Sequence, residues 1–307
     1  MLKVLKWLGI AVASLVVIVA VAAAAVLITG GRRANATVTV PDETVAIPAD
    51  AASIERGRHL ADAINKCVDC HRADFGGGMV IDAAPFMRLA APNLTRGRGG
   101  IAAEYTDADW VRTLRHGVGK NGRKLALMPA EAYTHMDDAD LGAVIAYIRT
   151  VSPVDRENPA KEYGPIARML LVAGQFPLHV YDQIDHTRRT IVPRAPESDT
   201  VGNGRYLATI GGCTICHQAN LAGGPIPGQP PEAKPAANLT PAGIGHYTEQ
   251  DFFRALREGV RPGGAPIDSL AMPWPASGRM TDAEIRAVFA FLRSVPPVET
   301  PAATSSR

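Results

Sequence analysis

The stretch Gly211–Pro225, GGCTICHQANLAGGP, holds two of the four cysteines in this chain of 307 residues. Two residues separate its cysteines, and a histidine follows the second one directly. The same pattern occurs once more, as CVDCH, nearer the N-terminus. The residues of the two motifs are Cys67, Cys70, His71, Cys213, Cys216 and His217.

Three kinds of site use paired cysteines. A redox dithiol of the thioredoxin kind needs a strand–helix–strand context, and strand patterns are sparse in this chain. A zinc site needs four ligands close together, and pairs about 145 residues apart in two domain copies cannot be assumed to converge. The spacing C-x-x-C-H is the attachment pattern of c-type haem, because two thiols one helical turn apart react with the two haem vinyl groups. We therefore predict covalent haem attachment at both motifs.

The surroundings of the motifs recur at an offset of about 145 residues. The paired segments are GRHLADAINKCVDCH (57–71) with GRYLATIGGCTICH (204–217), YTDADWVRTLRHGV (105–118) with YTEQDFFRALREGV (247–260), and MDDADLGAVIAYIRTVSPV (136–154) with MTDAEIRAVFAFLRSVPPV (280–298). Solenoid repeats have periods of about 20–50 residues, so a repeat this long indicates a duplicated domain.

Each copy reads as three helices joined by loops. One helix precedes each cysteine motif, over 53–66 and 199–212. A middle helix begins at a Thr-x-x-Asp capping box, at Thr106 and at Thr248. The last helix has apolar residues three or four apart and ends at a proline segment. The sequence therefore predicts an all-α fold.

The N-terminus carries Lys3 and Lys6, followed by an uncharged run from Leu8 to Ile28. About 20 apolar residues suffice to span a bilayer as a helix. A cleaved signal peptide is the alternative, although its apolar core is usually about 7–15 residues long. We predict four segments, namely a transmembrane anchor at 1–32, a first module at 45–155, a structured connector at 156–197 and a second module at 198–300.

The overall charge is nearly balanced, with a formal net charge of +2 at pH 7. Proteins that bind nucleic acids normally carry a basic face, so we predict no nucleic-acid partner. The same balance leaves no charged surface from which a docking partner can be deduced.

The CxxCH motifs and the shared order NLT, YT, LR-x-GV and MP resemble the class I cytochrome c family, in particular bacterial membrane-anchored diheme cytochromes. The resemblance covers about residues 50 to 298. It implies two covalently bound haem c groups and a first helix that crosses the last, which would bring Gly57 and Gly204 near Tyr147 and Phe291. The modules are also similar to cytochrome subunits of periplasmic alcohol- and aldehyde-type dehydrogenases. Such subunits often carry three modules, whereas this chain has two.

In this family the iron takes a histidine and a second ligand from a distant loop. The histidines His71 and His217 would be paired with Met128 and Met272, since both methionines recur at one position and precede a proline. Methionine stabilises reduced haem iron and raises its potential. The other methionines are expected to serve elsewhere, Met136 and Met280 in helix packing and Met79 and Met87 in the core or in loops. Three histidines are expected at the surface or beside a ligand, namely His59, His116 and His135. The recurring asparagines Asn93 and Asn238 would lie at a haem propionate or in a turn.

Two six-coordinate irons leave no open position for a substrate, so electron transfer is the predicted function and no catalytic residues are expected. The partners would be an electron-donating dehydrogenase, an oxidase or soluble cytochrome as acceptor, and the bacterial inner membrane on its periplasmic side. A diheme enzyme of the peroxidase or thiosulfate dehydrogenase type is the alternative. A tethering subunit is a third possibility.

Overall fold

The computed structural model describes residues 2–188, 190–196, 198–226, 229 and 232–300. The helices are α1 Leu2–Ala34, α2 Ala51–His59, α3 Cys67–His71, α4 Asp107–His116, α5 Ala130–Tyr133, α6 Asp138–Thr150, α7 Pro165–Val172, α8 Thr200–Ile210, α9 Cys213–His217, α10 Pro241–Ile244, α11 Glu249–Arg257, α12 Trp274–Ser277 and α13 Asp282–Ser294. A π-turn at Leu60–Ile64 continues α2, and a 3₁₀ turn spans Val180–Gln183. The strands are β1 Gly78–Ala83, β2 Met87–Ala91 and β3 Glu162–Tyr163.

The main helices begin where their capping residues predict. Thr106 and Thr248 each close a capping box with the aspartate three residues later, at the start of α4 and α11. Asp137 accepts a hydrogen bond from the backbone of Asp140 and so caps α6. These caps satisfy backbone N–H groups that have no partner inside the helix.

Within each module the first long helix packs directly against the last. A Cβ atom added to Gly57 would lie 1.9 Å from the carbonyl oxygen of Ala143, and one on Gly204 would lie 1.9 Å from that of Ala287 and 2.9 Å from the Cβ of Phe291. The expected approach of Gly204 to Phe291 is confirmed. Gly57 abuts α6 one turn before Tyr147. Only glycine permits backbones to approach this closely.

The all-α expectation was incomplete, because the first module carries a small antiparallel sheet in the order β1-β2-β3. Gly78 pairs with Ala91 across β1 and β2, and Met87 pairs with Tyr163 across β2 and β3. The strands have two to six residues, and β3 comes from the connector. Such short strands give little period-2 signal, and the pairing of β3 depends on chain brought in from far along the sequence.

The helix α1 has 33 residues and is the one helix in the described part of the chain that is long and apolar enough to cross a membrane. It is two residues longer at its C-terminal end than the predicted anchor. Its last turns pack against α7, which lies in the predicted connector. The segment predicted as a connector thus carries the helix α7.

The two modules share one hydrophobic core and a reciprocal set of polar contacts. The hydroxyl of Tyr206 in the second module donates to Asp140 in the first over 2.8 Å. In the equivalent contact, His59 of the first module lies 2.7 Å from Glu284 of the second. Arg56 joins both carboxylates, at 2.9 Å from Asp140 and 3.3 Å from Glu284. These bonds hold the modules in one arrangement.

Candidate haem-binding sites

Both cysteine motifs form the same local structure. Each is a single helical turn, α3 or α9, preceded by a residue in the left-handed conformation, Lys66 with φ 54° or Gly212 with φ 73°. Each turn also ends at a residue with positive φ, Arg72 at 63° and Gln218 at 68°. Non-glycine residues rarely adopt positive φ. Its recurrence at both motifs shows that the two copies share their backbone conformation as well as the spacing of their cysteines.

None of the four cysteines forms a disulfide bond. Burial raises the pKa of the Cys67 thiol to about 12, and burial also raises the pKa of Cys70, Cys213 and Cys216. Redox-active dithiols have a lowered pKa, since the thiolate is the reactive form. The electrostatics of both turns therefore argue against a redox dithiol.

No cluster of three or more histidine, cysteine or carboxylate side chains suited to a metal ion occurs among the described residues. The cysteine pairs thus lack the closed four-ligand arrangement of structural zinc sites. Of the three kinds of site considered for the cysteine motifs (redox dithiol, zinc site and haem attachment), haem attachment remains.

The two motif histidines are held by the same hydrogen bond. The Nδ1 of His71 lies 2.9 Å from the carbonyl oxygen of Pro92, and the Nδ1 of His217 lies 2.7 Å from that of Ala237. A carbonyl can only accept, so Nδ1 carries the proton and Nε2 keeps its lone pair. Burial lowers the pKa of both imidazoles, which keeps them neutral. A neutral ring with its far nitrogen anchored in this way is the usual state of a metal-ligating histidine.

The recurring asparagines have a structural role. Asn93 donates to the carbonyl of Val154 over 2.6 Å, and its side-chain oxygen accepts from the backbone and hydroxyl of Thr95. Asn238 makes the same bonds with Val298 and Thr240. Each asparagine thus ties the loop after the cysteine turn to the chain that leaves the last helix. Two roles were predicted for these asparagines, one at a haem propionate and one in a turn. Their hydrogen bonds support the role in a turn.

In the first module, Cys67, Cys70, His71 and Met128 line one cavity. The space between its surrounding atoms is about 1030 Å³, including the open mouth. The other lining side chains are mostly apolar and include Leu94, Ile101, Trp110, Leu114 and Ile148. A deep apolar cavity with both thiols, the histidine and the methionine on its wall fits a covalently attached haem.

The loops that carry the two methionines share their local geometry. The carbonyl of Met128 accepts from the backbone of Ala130 over 2.7 Å, and that of Met272 accepts from Trp274 over the same distance. Both side chains are half-buried and pack against the shared core. The structure therefore places Met272 in the second module as it places Met128 in the first.

The connector supports the Met128 loop. The backbone N–H of Leu127 donates to the carbonyl of Leu178 over 3.1 Å, and Ala126 forms an isolated bridge with His179. The ring of His179 in turn lies 3.3 Å from the carbonyl of Ala34, the last residue of α1. The end of the apolar N-terminal helix is thus linked through the connector to the methionine loop.

Sequence reasoning missed Trp110 as a residue of the site. Its indole Nε1 is buried with no hydrogen-bond partner among the described residues, and its side chain lines the cavity. A buried donor left unpaired is costly, so an acceptor supplied by the bound group is the expected partner. A carboxylate of the haem provides one. The corresponding residue in the second module is Phe252, which has no donor, and this difference between the repeats was the available signal.

The two attachment turns are also joined to each other. The ammonium group of Lys66 donates to the carbonyl of Gly211 over 2.6 Å, and the side chain of Asn65 donates to the carbonyl of Ile210 over 3.0 Å. Both donors directly precede the first motif, and the acceptors lie two and three residues before the second. The two cysteine turns therefore have a fixed mutual position.

Comparison with known proteins agrees with this geometry. The sequence model of the family described as cytochrome c matches residues 54–152 and again residues 201–296. The chain is 29% identical over 280 residues to the fructose dehydrogenase cytochrome subunit of Gluconobacter japonicus, which covers 83% of this chain and 55% of that protein. It is 26% identical to the cytochrome c subunit of the quinone alcohol dehydrogenase of Komagataeibacter europaeus, covering 81% of this chain and 57% of that one.

A further relative is the diheme cytochrome c-type protein of Cereibacter sphaeroides, 25% identical over 259 residues, which covers 76% of this chain and 83% of that protein. The chain spans little more than half the length of the fructose and alcohol dehydrogenase subunits. The two family matches together extend over more than half of the chain and contain both CxxCH turns. The chain belongs to the cytochrome c family.

Proposed function

We propose that the chain is a membrane-anchored diheme cytochrome c that carries electrons from a dehydrogenase to a downstream respiratory acceptor. The supporting observation is that the same set of groups occurs in both modules: two thiols one turn apart, a histidine fixed through Nδ1, and a methionine followed by proline. A functional duplication of this kind calls for two haem c groups.

The residues have distinct roles in this proposal. The thiols of Cys67, Cys70, Cys213 and Cys216 form the covalent links. His71 and Met128 bind the first iron, and His217 and Met272 bind the second. When bound, the haem supplies reversible one-electron oxidation and reduction. The carbonyls of Pro92 and Ala237 keep each histidine in the tautomer that offers Nε2.

The proposed division of the chain is the anchor at 1–32, modules at 45–155 and 198–300, and the connector at 156–197. The anchor would lie in the bacterial inner membrane with both modules on the periplasmic side. The exposed apolar surface of α1 supports this, since side chains such as Leu15 and Ile18 remain about 60% exposed. Covalent haem attachment also suits an extracytoplasmic compartment.

The proposed donor is a membrane-bound or periplasmic dehydrogenase, and the acceptor is an oxidase or a soluble cytochrome. The names of the relatives support the donor class. Its test is substrate-dependent reduction: the purified full chain in detergent is mixed with membranes that carry a candidate dehydrogenase, and haem absorbance is followed after substrate is added. Reduction that requires both dehydrogenase and substrate would support the proposal, and reduction independent of either would contradict it.

The coordination proposal is tested by electron paramagnetic resonance of the oxidised full chain, with haem counted by intact mass. Two haems per chain and two low-spin ferric signals of histidine–methionine type would support electron transfer. Met128→Ala and Met272→Ala should each convert one signal to high spin, and Met136→Ala serves as the control. A large high-spin signal in the unmodified chain would contradict the proposal and favour the diheme-enzyme alternative, because it indicates an open iron.

A further inference from the structure

The helix α7 carries an apolar surface that nothing in the described part of the chain covers. Ile166 is 43% exposed and Met169 is 54% exposed, while Ala167 and Leu171 on the other side are buried. Apart from α1, it is the one described helix with two large exposed apolar side chains. Single exposed apolar residues are common on soluble proteins, but a pair on one short helix indicates a contact surface.

This surface adjoins α1. A Cβ atom on Gly30 would lie 2.4 Å from the carbonyl oxygen of Arg168, so the backbones of α1 and α7 are in direct contact. The α1 residues with reduced exposure are Val26, Leu27, Gly30, Gly31 and Ala34. They lie three or four positions apart and form one face of the helix.

The contact extends into the apolar run of α1. Gly30 lies two residues beyond Ile28, the last residue of that run, which corresponds to about 3 Å along the helix. Val26 and Leu27 belong to the run itself. Since α7 has eight residues and is about 12 Å long, it lies beside the end of the apolar run and the residues that follow it. Interfacial helices bury their apolar face about 5–10 Å into this region of a bilayer.

Several arginines lie at the same level. Arg32 is exposed, and the guanidinium of Arg33 donates to the carbonyls of Leu171 and Val172 at the end of α7. The Nε of Arg168 donates to the carbonyl of Tyr163. Arginines at the end of an apolar span interact favourably with lipid phosphates. The apolar pair and these cations therefore match the two layers of a membrane surface.

We propose that α7 is an interfacial membrane helix, which inserts Ile166 and Met169 into the bilayer beside α1. This inference rests on the proposed membrane anchoring by α1. A single spanning helix can tilt in the bilayer and carry the first module with it, whereas a second contact through α7 limits this tilt. The connector that carries α7 also supports the Met128 loop, so the tilt of the first haem site relative to the membrane is limited as well.

The test uses spin labels on the full chain with both haems reduced, in nanodiscs of phosphatidylethanolamine and phosphatidylglycerol. Labels are introduced by Ile166→Cys and Met169→Cys. Val17→Cys in α1 provides the lipid reference and Leu270→Cys, at a position 96% exposed in the second module, provides the water reference. Power saturation with oxygen and with a water-soluble nickel chelate reports the surroundings of each label.

We expect the labels at 166 and 169 to be accessible to oxygen and protected from nickel, as at 17. If they resemble the label at 270 while the label at 17 is protected, the inference is wrong and the anchor stands. If the label at 17 is itself open to nickel, membrane anchoring by α1 is wrong, and the interfacial role of α7 is wrong with it.

Discussion

The ammonium nitrogen of Lys66 lies 2.6 Å from the carbonyl oxygen of Gly211 and 3.0 Å from that of Ile64. Lys66 directly precedes the first cysteine motif, and Gly211 lies two residues before the second. One side chain thus joins the two haem attachment turns, although they are far apart in the sequence. Lys66 is half-buried, and both of its acceptors are backbone carbonyls.

Replacing Lys66 by methionine keeps the side-chain length and removes the donors. The variant should lose about 1–3 kcal/mol of unfolding free energy, since buried carbonyls remain unsatisfied. Urea unfolding of the full chain in detergent measures this loss. Lys120→Met is the matched control, because Lys120 donates to the carbonyl of Glu104 within a single module at an exposed position. Equal stability of the two variants would contradict a joining role for Lys66.

Substitution of Gly57 by alanine should destabilise the first module by about 1–3 kcal/mol, because the new Cβ collides with the α6 backbone at Ala143. Gly204→Ala should do the same in the second module. Gly31→Ala is the control, since its Cβ would meet only the side chain of Arg168 at 3.6 Å. Alanine in a helix interior normally gains about 0.5–1 kcal/mol over glycine, so the control should not lose stability. Thermal unfolding followed by circular dichroism distinguishes the expected loss of stability in the two variants from the absence of a loss in the control.

The interface between the modules should weaken in acid through Glu284. Burial alone would raise the pKa of this carboxyl, but the hydrogen bond from His59, the cap at Thr281 and the charge of Arg56 outweigh burial, and the pKa lies below its ordinary value of 4.5. A lowered carboxyl pKa contributes stability above the ordinary value, and this contribution is lost as the pH falls towards the lowered one.

Glu284→Gln should therefore cost about 1–3 kcal/mol at neutral pH and progressively less below about pH 4.5. Urea unfolding at a series of pH values provides the comparison. Glu249→Gln removes an exposed ion pair with Arg286 and should change stability by no more than about 1 kcal/mol. A constant difference between the unmodified chain and Glu284→Gln at all pH values would show that the charge of Glu284 does not matter.

Trp110→Phe should lower the reduction potential of one haem and leave the other unchanged. The indole N–H finds no partner in the part of the chain that the structure describes. A donor to a haem carboxylate would offset a negative charge that otherwise favours oxidised iron. A spectroelectrochemical titration resolves the two midpoints. Trp7→Phe, at an exposed position in α1, should move neither. If Trp110→Phe also moved neither midpoint, the proposed acceptor on the haem would be excluded.

Several features followed from the sequence alone because they depend on residues within one or two helical turns. The C-x-x-C-H spacing at Cys67 and Cys213 predicts haem attachment without reference to the rest of the fold. The caps at Thr106 and Thr248 close with a residue three positions on, and so they marked helix starts. The duplication was visible because both copies kept these local signals.

Other features required the tertiary structure. The strand β3 pairs with β2 only because the connector folds back across the first module, and no local pattern encodes that return. The bonds from Tyr206 to Asp140 and from Lys66 to Gly211 join residues of different modules, so their existence depends on how two separately folded cores pack. Likewise, the contact of Gly30 with α7 and the unpaired indole of Trp110 are set by distant parts of the chain, because packing and hydrogen-bond satisfaction depend on proximity in space and not along the sequence.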